Sequence, residues 1–129
     1  MVDAIDTERC DAIAAEVMEK PAERIRSENQ NTKMKIVSIS VDFFSKGQAV
    51  VNSSFSGAFK QLPTNFYGIN MLEDGIKRDK EKISQSITRM DKPFDKIETL
   101  VIITVDGNEV FRENKTFDQL NLTVEKEAS

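Results

Sequence analysis

Two consecutive runs of strict apolar–polar alternation restrict this chain more than any other feature. Within residues 34–44, Val37, Ile39, Val41 and Phe43 fall on one side, with Ser38, Ser40 and Asp42 between them. Successive side chains of a strand point to opposite faces, so this is the pattern of a half-buried strand. Residues 49–59 repeat it. Ala49, Val51, Ser53, Phe55, Gly57 and Phe59 share one face, and Asn52, Ser54 and Ser56 share the other. Ser45-Lys46-Gly47-Gln48 reads as a four-residue turn, which makes the two runs a hairpin. The small residues between Asn52 and Ala58 point to a bulge or a close packing neighbour. Phe43 and Phe44 are adjacent, so one of the two rings must leave the core face. That makes Phe44 a candidate contact residue, under the first helix or in an interface. The opposite hairpin face (Ser38, Ser40, Asn52, Ser54, Ser56) is uncharged and flat, suited to a partner, a ligand or water.

Helical periodicity flanks the hairpin. Ile5, Cys10, Ile13, Ala14, Val17 and Met18 recur mostly at spacings of three and four, which predicts a helix over 3–20 with Thr7 as a cap. Pro21 suits a first turn, so Pro21 to Arg26 is expected to restart or kink that helix. Ser27 to Thr32 is a polar stop. Gln61-Leu62-Pro63-Thr64-Asn65 breaks the pattern again. Ile69, Leu72, Ile76, Ile83, Ile87 and Met90 then line one stripe of a second helix over about 67–91. Gly75 lies inside it, where a glycine weakens a helix by about 1 kcal/mol relative to alanine. A break is expected there, with 77–91 the firm part.

Residues 98–105, Glu-Thr-Leu-Val-Ile-Ile-Thr-Val, form a near-continuous β-branched run. Such a run marks a central strand covered on both faces. Asp106-Gly107-Asn108 is a hairpin turn. Val110 and Phe111 open the return strand, Asn114-Lys115-Thr116 reads as another turn, and Leu120, Leu122 and Val124 alternate in a last strand. The order α-β-β-α-β-β-β implies an α+β domain with a mostly antiparallel sheet and helices on one face. The expected single domain spans 1–129, with a helical segment 1–31 and a sheet-and-helix core 34–126. No internal repeat is visible.

Composition removes whole classes of chemistry. Among 129 residues there is no histidine and one cysteine, Cys10. Histidine-dependent triads are therefore excluded, and a thiolate or imidazole zinc site has too few ligands. A carboxylate-only magnesium site would need clustered acids. Glu73-Asp74 and Asp106 are the nearest candidates. The first two read more simply as a solvated helix start, and Asp106 as a turn former. Cys10 on the apolar helix side reads as a small buried hydrophobe. No glycine-rich phosphate loop is present. No catalytic residue, metal or cofactor is expected. The first six residues lack a basic start and an apolar run, and no apolar stretch reaches the ~18 residues of a membrane span. A reducing, cytoplasmic setting without membrane association is the expectation.

Charge is unevenly spread. Residues 1–31 carry eight acids and four bases, residues 32–92 six and ten, and residues 93–129 eight and four. A basic middle between acidic ends indicates either a basic patch or internal complementarity between a terminal helix and the body. Within it, Lys77, Arg78, Lys80 and Lys82, with Arg89 and Lys92, form the main basic cluster. At helical spacing Arg78, Lys82 and Arg89 lie together, while Lys77 and Lys80 diverge, and Asp79 and Glu81 dilute the field. By elimination the expected function is a non-enzymatic binding protein acting through protein–protein contacts: an adaptor, small chaperone or inhibitor. Its size and acidity are common among phage and mobile-element proteins. Open sheet edges make a homodimer plausible. Lys77, Arg78, Lys82, Arg89 and Phe44 are the candidate interaction residues. Two alternatives remain. One is a nucleic-acid-binding regulator using the basic 32–92 segment. The other is a ligand-binding or enzyme domain with a pocket between the sheet and the second helix.

Overall fold

The computed structural model describes residues 7–27, 34–59 and 66–118. The element order is α1 (Thr7–Ser27), β1 (Lys35–Ser45), β2 (Gln48–Phe59), α2 (Phe66–Thr88), β3 (Lys96–Val105) and β4 (Asn108–Asp118). The strands form one sheet in the order β2-β1-β3-β4, with every neighbouring pair antiparallel. Both helices pack on the same sheet face, giving the expected α+β class in a single small domain.

Alternation decides which face they cover. Val37, Ile39, Val41 and Phe43 of β1 are buried, as are Ile97, Val101 and Ile103 of β3. Cys10, Ile13, Ala14, Val17, Met18 and Ile25 of α1 and Ile76, Ile83 and Ile87 of α2 close over them. Burying one such side chain contributes about 1.5–3 kcal/mol, so this layer dominates the stability. Cys10 is wholly buried within it. Arg26 donates two hydrogen bonds to Glu73, at 2.8 and 2.9 Å, and Ser84 donates one to Asp11 at 2.7 Å. These contacts join opposite ends of α1 and α2, so the helices run antiparallel.

Several expectations need correction. Pro21 neither restarts nor interrupts α1, which runs continuously to Ser27; Pro21 is buried in its interior. Gly75 causes no break in α2. A Cβ at Gly75 would stand 2.5 Å from Phe59 Cε2, so this glycine lets the Phe59 ring lie against the helix backbone. The first turn has two residues, not four. Lys46 and Gly47 have φ of 53° and 82°, and Asp106 and Gly107 have 53° and 85°. Positive φ at both central positions is the twist-matched hairpin turn. A bulge at Val50 pairs Phe43 with Val51 but Phe44 with Ala49, which moves Ala49 to the outer face. Asn114-Lys115-Thr116 is no turn; it lies within β4, and the proposed strand at Leu120–Val124 falls outside the described residues. β3 is central, but among the described residues only its inner face is covered by helices. Its outer residues Leu100 and Ile102 are half-buried.

The topology also has a symmetry that the sequence hides. Each half is a helix followed by a hairpin, and the two halves meet through the antiparallel β1–β3 pair. The turns at Lys46-Gly47 and Asp106-Gly107 match, as do the bulges at Val50 and Val110. The fold is an αββ unit repeated about an approximate two-fold axis.

Candidate binding edge along β2

The symmetry leaves two outer strands, and their chemistry differs sharply. β4, Asn-Glu-Val-Phe-Arg-Glu-Asn-Lys-Thr-Phe-Asp, carries Glu109, Arg112, Glu113, Lys115 and Asp118. Charges along an edge oppose pairing with another chain. Arg112 pairs with Glu109 at 2.9 Å, holding that carboxyl below its usual range. Glu113 and Lys115 reach Lys20 and Glu16 of α1 at 3.8 and 3.9 Å. β2, Gln-Ala-Val-Val-Asn-Ser-Ser-Phe-Ser-Gly-Ala-Phe, has neither a charged residue nor a proline over 12 residues. Among the described residues, no strand pairs with its outward side.

α2 runs alongside this edge in the opposite direction. Asp79 lies opposite Gly57, with Oδ1 4.0 Å from where a Cβ there would stand. Lys82 Nζ is 5.3 Å from the centre of the Phe55 ring. The Ser86 and Ser53 hydroxyls are 3.1 Å apart. Between α2 and β2 lies an open groove of about 410 Å³, whose lining includes Val51, Ser53, Phe55, Lys82, Arg89 and Met90.

The structure brings together part of the predicted interaction set. Lys82 and Arg89 line the groove, and Arg78, one turn before Lys82, continues the flank. All three are exposed, and among the described residues none makes an ion pair. Lys77 is exposed but lies about 100° round the helix from Arg78, off this flank. Phe44 is on the outer sheet face, half-buried, with Lys96 Nζ 4.5 Å from its ring centre. It joins a different surface from the basic flank. Phe43 is the inward partner and packs edge-on against Phe94. The ion pairs do not express a simple match of acidic ends to a basic middle. In Arg26–Glu73 the base belongs to the first third and the acid to the middle, and Lys115–Glu16 joins the two ends.

The buried group in this region that sequence reasoning passed over is Asp79. It is 5% exposed, its Oδ2 has no hydrogen-bond partner, and burial pushes its carboxyl up to about 6 against the opposing pull of Lys82 and Arg78. Its place in a charged run, Lys77 to Lys82, disguised it as a solvated residue. The β2 edge was legible as a strand, but its outermost position depends on the strand order.

The outer sheet face bears the predicted serine stripe, with Ser38 opposite Ser56 and Ser40 opposite Ser54. Asn52 donates hydrogen bonds to Asp42 and Ser40. A shallow depression of about 410 Å³ lies over Ser38, Ser40, Ser54, Ser56, Leu100 and Ile102. Among the described residues, no group of three or more acids, histidines or cysteines is placed to hold a metal ion, and no helix is long and apolar enough to cross a membrane. Glu73 and Asp74 are exposed, Glu73 held by Arg26, and Asp106 occupies its turn. Compared with known proteins, the chain matches no family, no curated protein and no solved structure.

Proposed function

We propose that the protein is a non-enzymatic binding module that holds a partner protein by adding a strand of that partner to the β2 edge. The carrying observation is the contrast between the two edges. Among the described residues, the outward row of backbone N–H and C=O groups along β2 pairs with no strand, and β2 is without the charges that protect β4. Strand addition draws affinity from main-chain hydrogen bonds and specificity from alternate side chains beside the edge. An adaptor, a small chaperone and an inhibitor all fit this mode. A nucleic-acid regulator is less well supported. Binding to phosphates draws its affinity from several converging bases, and Asp79 and Asp91 flank the three available here.

The test is site-specific photocrosslinking in the native cell, with the reactive side chain at exposed Ser56 on β2 and, as a control, at exposed Asn114 on β4. A discrete partner captured from Ser56 and not from Asn114 is the expected result. Capture that is equal from both edges, or only from Asn114, overturns the reading.

A further inference from the structure

We propose that the strand received by the β2 edge is an extended acidic segment of another protein, with acids at alternate positions. The inference rests on the strand-addition reading above and names the chemistry of the ligand. α2 tracks β2 along its length: Asp79 stands at Gly57, Lys82 at Phe55 and Ser86 at Ser53. An added strand would therefore lie beneath the flank carrying Arg78, Lys82 and Arg89. Arg78 and Lys82 are one turn apart, about 6 Å along the helix, and Lys82 and Arg89 about 10 Å. Side chains on one face of a strand recur every ~7 Å. The flank from Arg78 to Arg89 is about 16 Å long, so roughly three alternate positions of the incoming strand lie beneath it, within reach of the long Arg and Lys side chains, while the side chains between them point to the outer face beside Asn52, Ser54 and Ser56. The three bases make no ion pair within the described residues, and they outnumber the two acids beside them, Asp79 on the buried side of the helix and Asp91 in the groove lining, so the flank keeps a positive balance.

The same charges argue against a second copy of this chain. Two β2 edges pairing antiparallel are related by a two-fold axis normal to the sheet, which puts both α2 helices on one face. The two basic flanks would then face each other across the seam, and like charges so placed repel. An acidic strand removes that repulsion and neutralises the flank.

The experiment uses the full chain and fluorescence anisotropy with three labelled peptides that alternate valine with glutamate, glutamine or lysine. Each exposed ion pair contributes a few-fold in affinity, so the glutamate peptide is expected to bind about tenfold or more tighter than the glutamine peptide. Adding salt should erase the difference. In the variant Lys82→Glu with Arg89→Glu, preference is expected to pass to the lysine peptide. The wild-type comparison stands by itself should that variant fail to fold. Equal binding of the glutamate and glutamine peptides overturns the proposal, as does no binding of the glutamate peptide. If Ser56 crosslinking to a partner persists in either case, the strand-addition reading survives and only the acidic ligand class falls. A concentration-dependent dimer in sedimentation, abolished by Ser56→Lys, overturns the proposal in favour of a second copy. Tighter binding of an oligothymidine than of the glutamate peptide overturns it in favour of nucleic acid.

Discussion

Asp79 shows how a single residue can work against the fold that contains it. The stripe of α2 that meets the sheet is otherwise apolar or small, and Ile76 and Ile83 on either side are buried. A carboxylate there loses water without gaining a hydrogen bond to Oδ2. Its carboxyl is carried from 3.8 to about 6 in the folded chain. Between these values the folded state binds more protons than the unfolded one, so this group adds stability as pH falls from about 6 towards 4. Above about 6 both states are ionised and the full penalty applies, about 3 kcal/mol at most. Asp79→Asn is therefore expected to be more stable than wild type at pH 7 and nearly equal to it near pH 4. Urea unfolding of both proteins across that range checks this by their difference. Glu73 and Glu109, whose carboxyls are lowered by Arg26 and Arg112, act in the opposite direction and cancel in the comparison. An unchanged pH dependence in the variant would remove Asp79 as the cause.

At the scale of elements, legibility followed the strength of local periodicity. β1 could be read almost residue for residue, because Val37 to Phe43 alternate without interruption and one face is covered. The basic flank was legible too, since Arg78, Lys82 and Arg89 share a helix side wherever the helix is placed. β4 was misread because Arg-Glu-Asn-Lys-Thr resembles a loop in composition. Its pattern makes sense only when the strand is known to lie at an edge, with Glu113 and Lys115 tied to α1. Pro21 and Gly75 misled for a similar reason: tertiary packing overrides local propensity, with Pro21 buried inside α1 and Gly75 set against the Phe59 ring. The first hairpin shows how far turn chemistry can depart from its optimum. Lys46 holds φ 53°, a conformation that costs a side chain bearing Cβ about 1–2 kcal/mol. Asparagine tolerates it better and leads such turns when followed by glycine. Lys46 uses its backbone N–H to donate to Asp95 Oδ2 at 3.0 Å, a bond that any side chain here retains. Lys46→Asn is accordingly expected to raise stability by about 0.5–1 kcal/mol, and Lys46→Val to lower it. Thermal unfolding of the pair decides whether the turn is strained as its geometry implies.

The whole molecule is two αββ units that share one core, and this constrains how it can fold. The seam between them is the β1–β3 pair, ten residue pairs long, with α1 crossing to lie against β3 and β4. Neither half can bury its own apolar surface. Without the second half, Val37, Ile39 and Val41 lose the neighbouring strand, and Ile13, Val17 and Ile25 lose the facing helix. A helix and a two-stranded ribbon are together too small to be stable alone. Cutting the chain between Gln61 and Leu62 puts each hairpin, β1–β2 and β3–β4, whole in one fragment and leaves the β1–β3 pair as the contact between fragments. The two fragments are expected to be largely unstructured by circular dichroism when separate, and to recover helix and sheet signal when mixed in equal amounts. The approximate two-fold symmetry adds a sharper expectation for the first fragment. At high concentration, two copies can place β1 against β1 as β1 lies against β3. Gly57 and Phe117 occupy matching positions in the two hairpins, however, so the homodimer would lack the buried Phe117 ring. The mixed complex should therefore outcompete it, and titrating the second fragment into the first should end at one copy of each. A first fragment that folds alone as a monomer would refute the shared core.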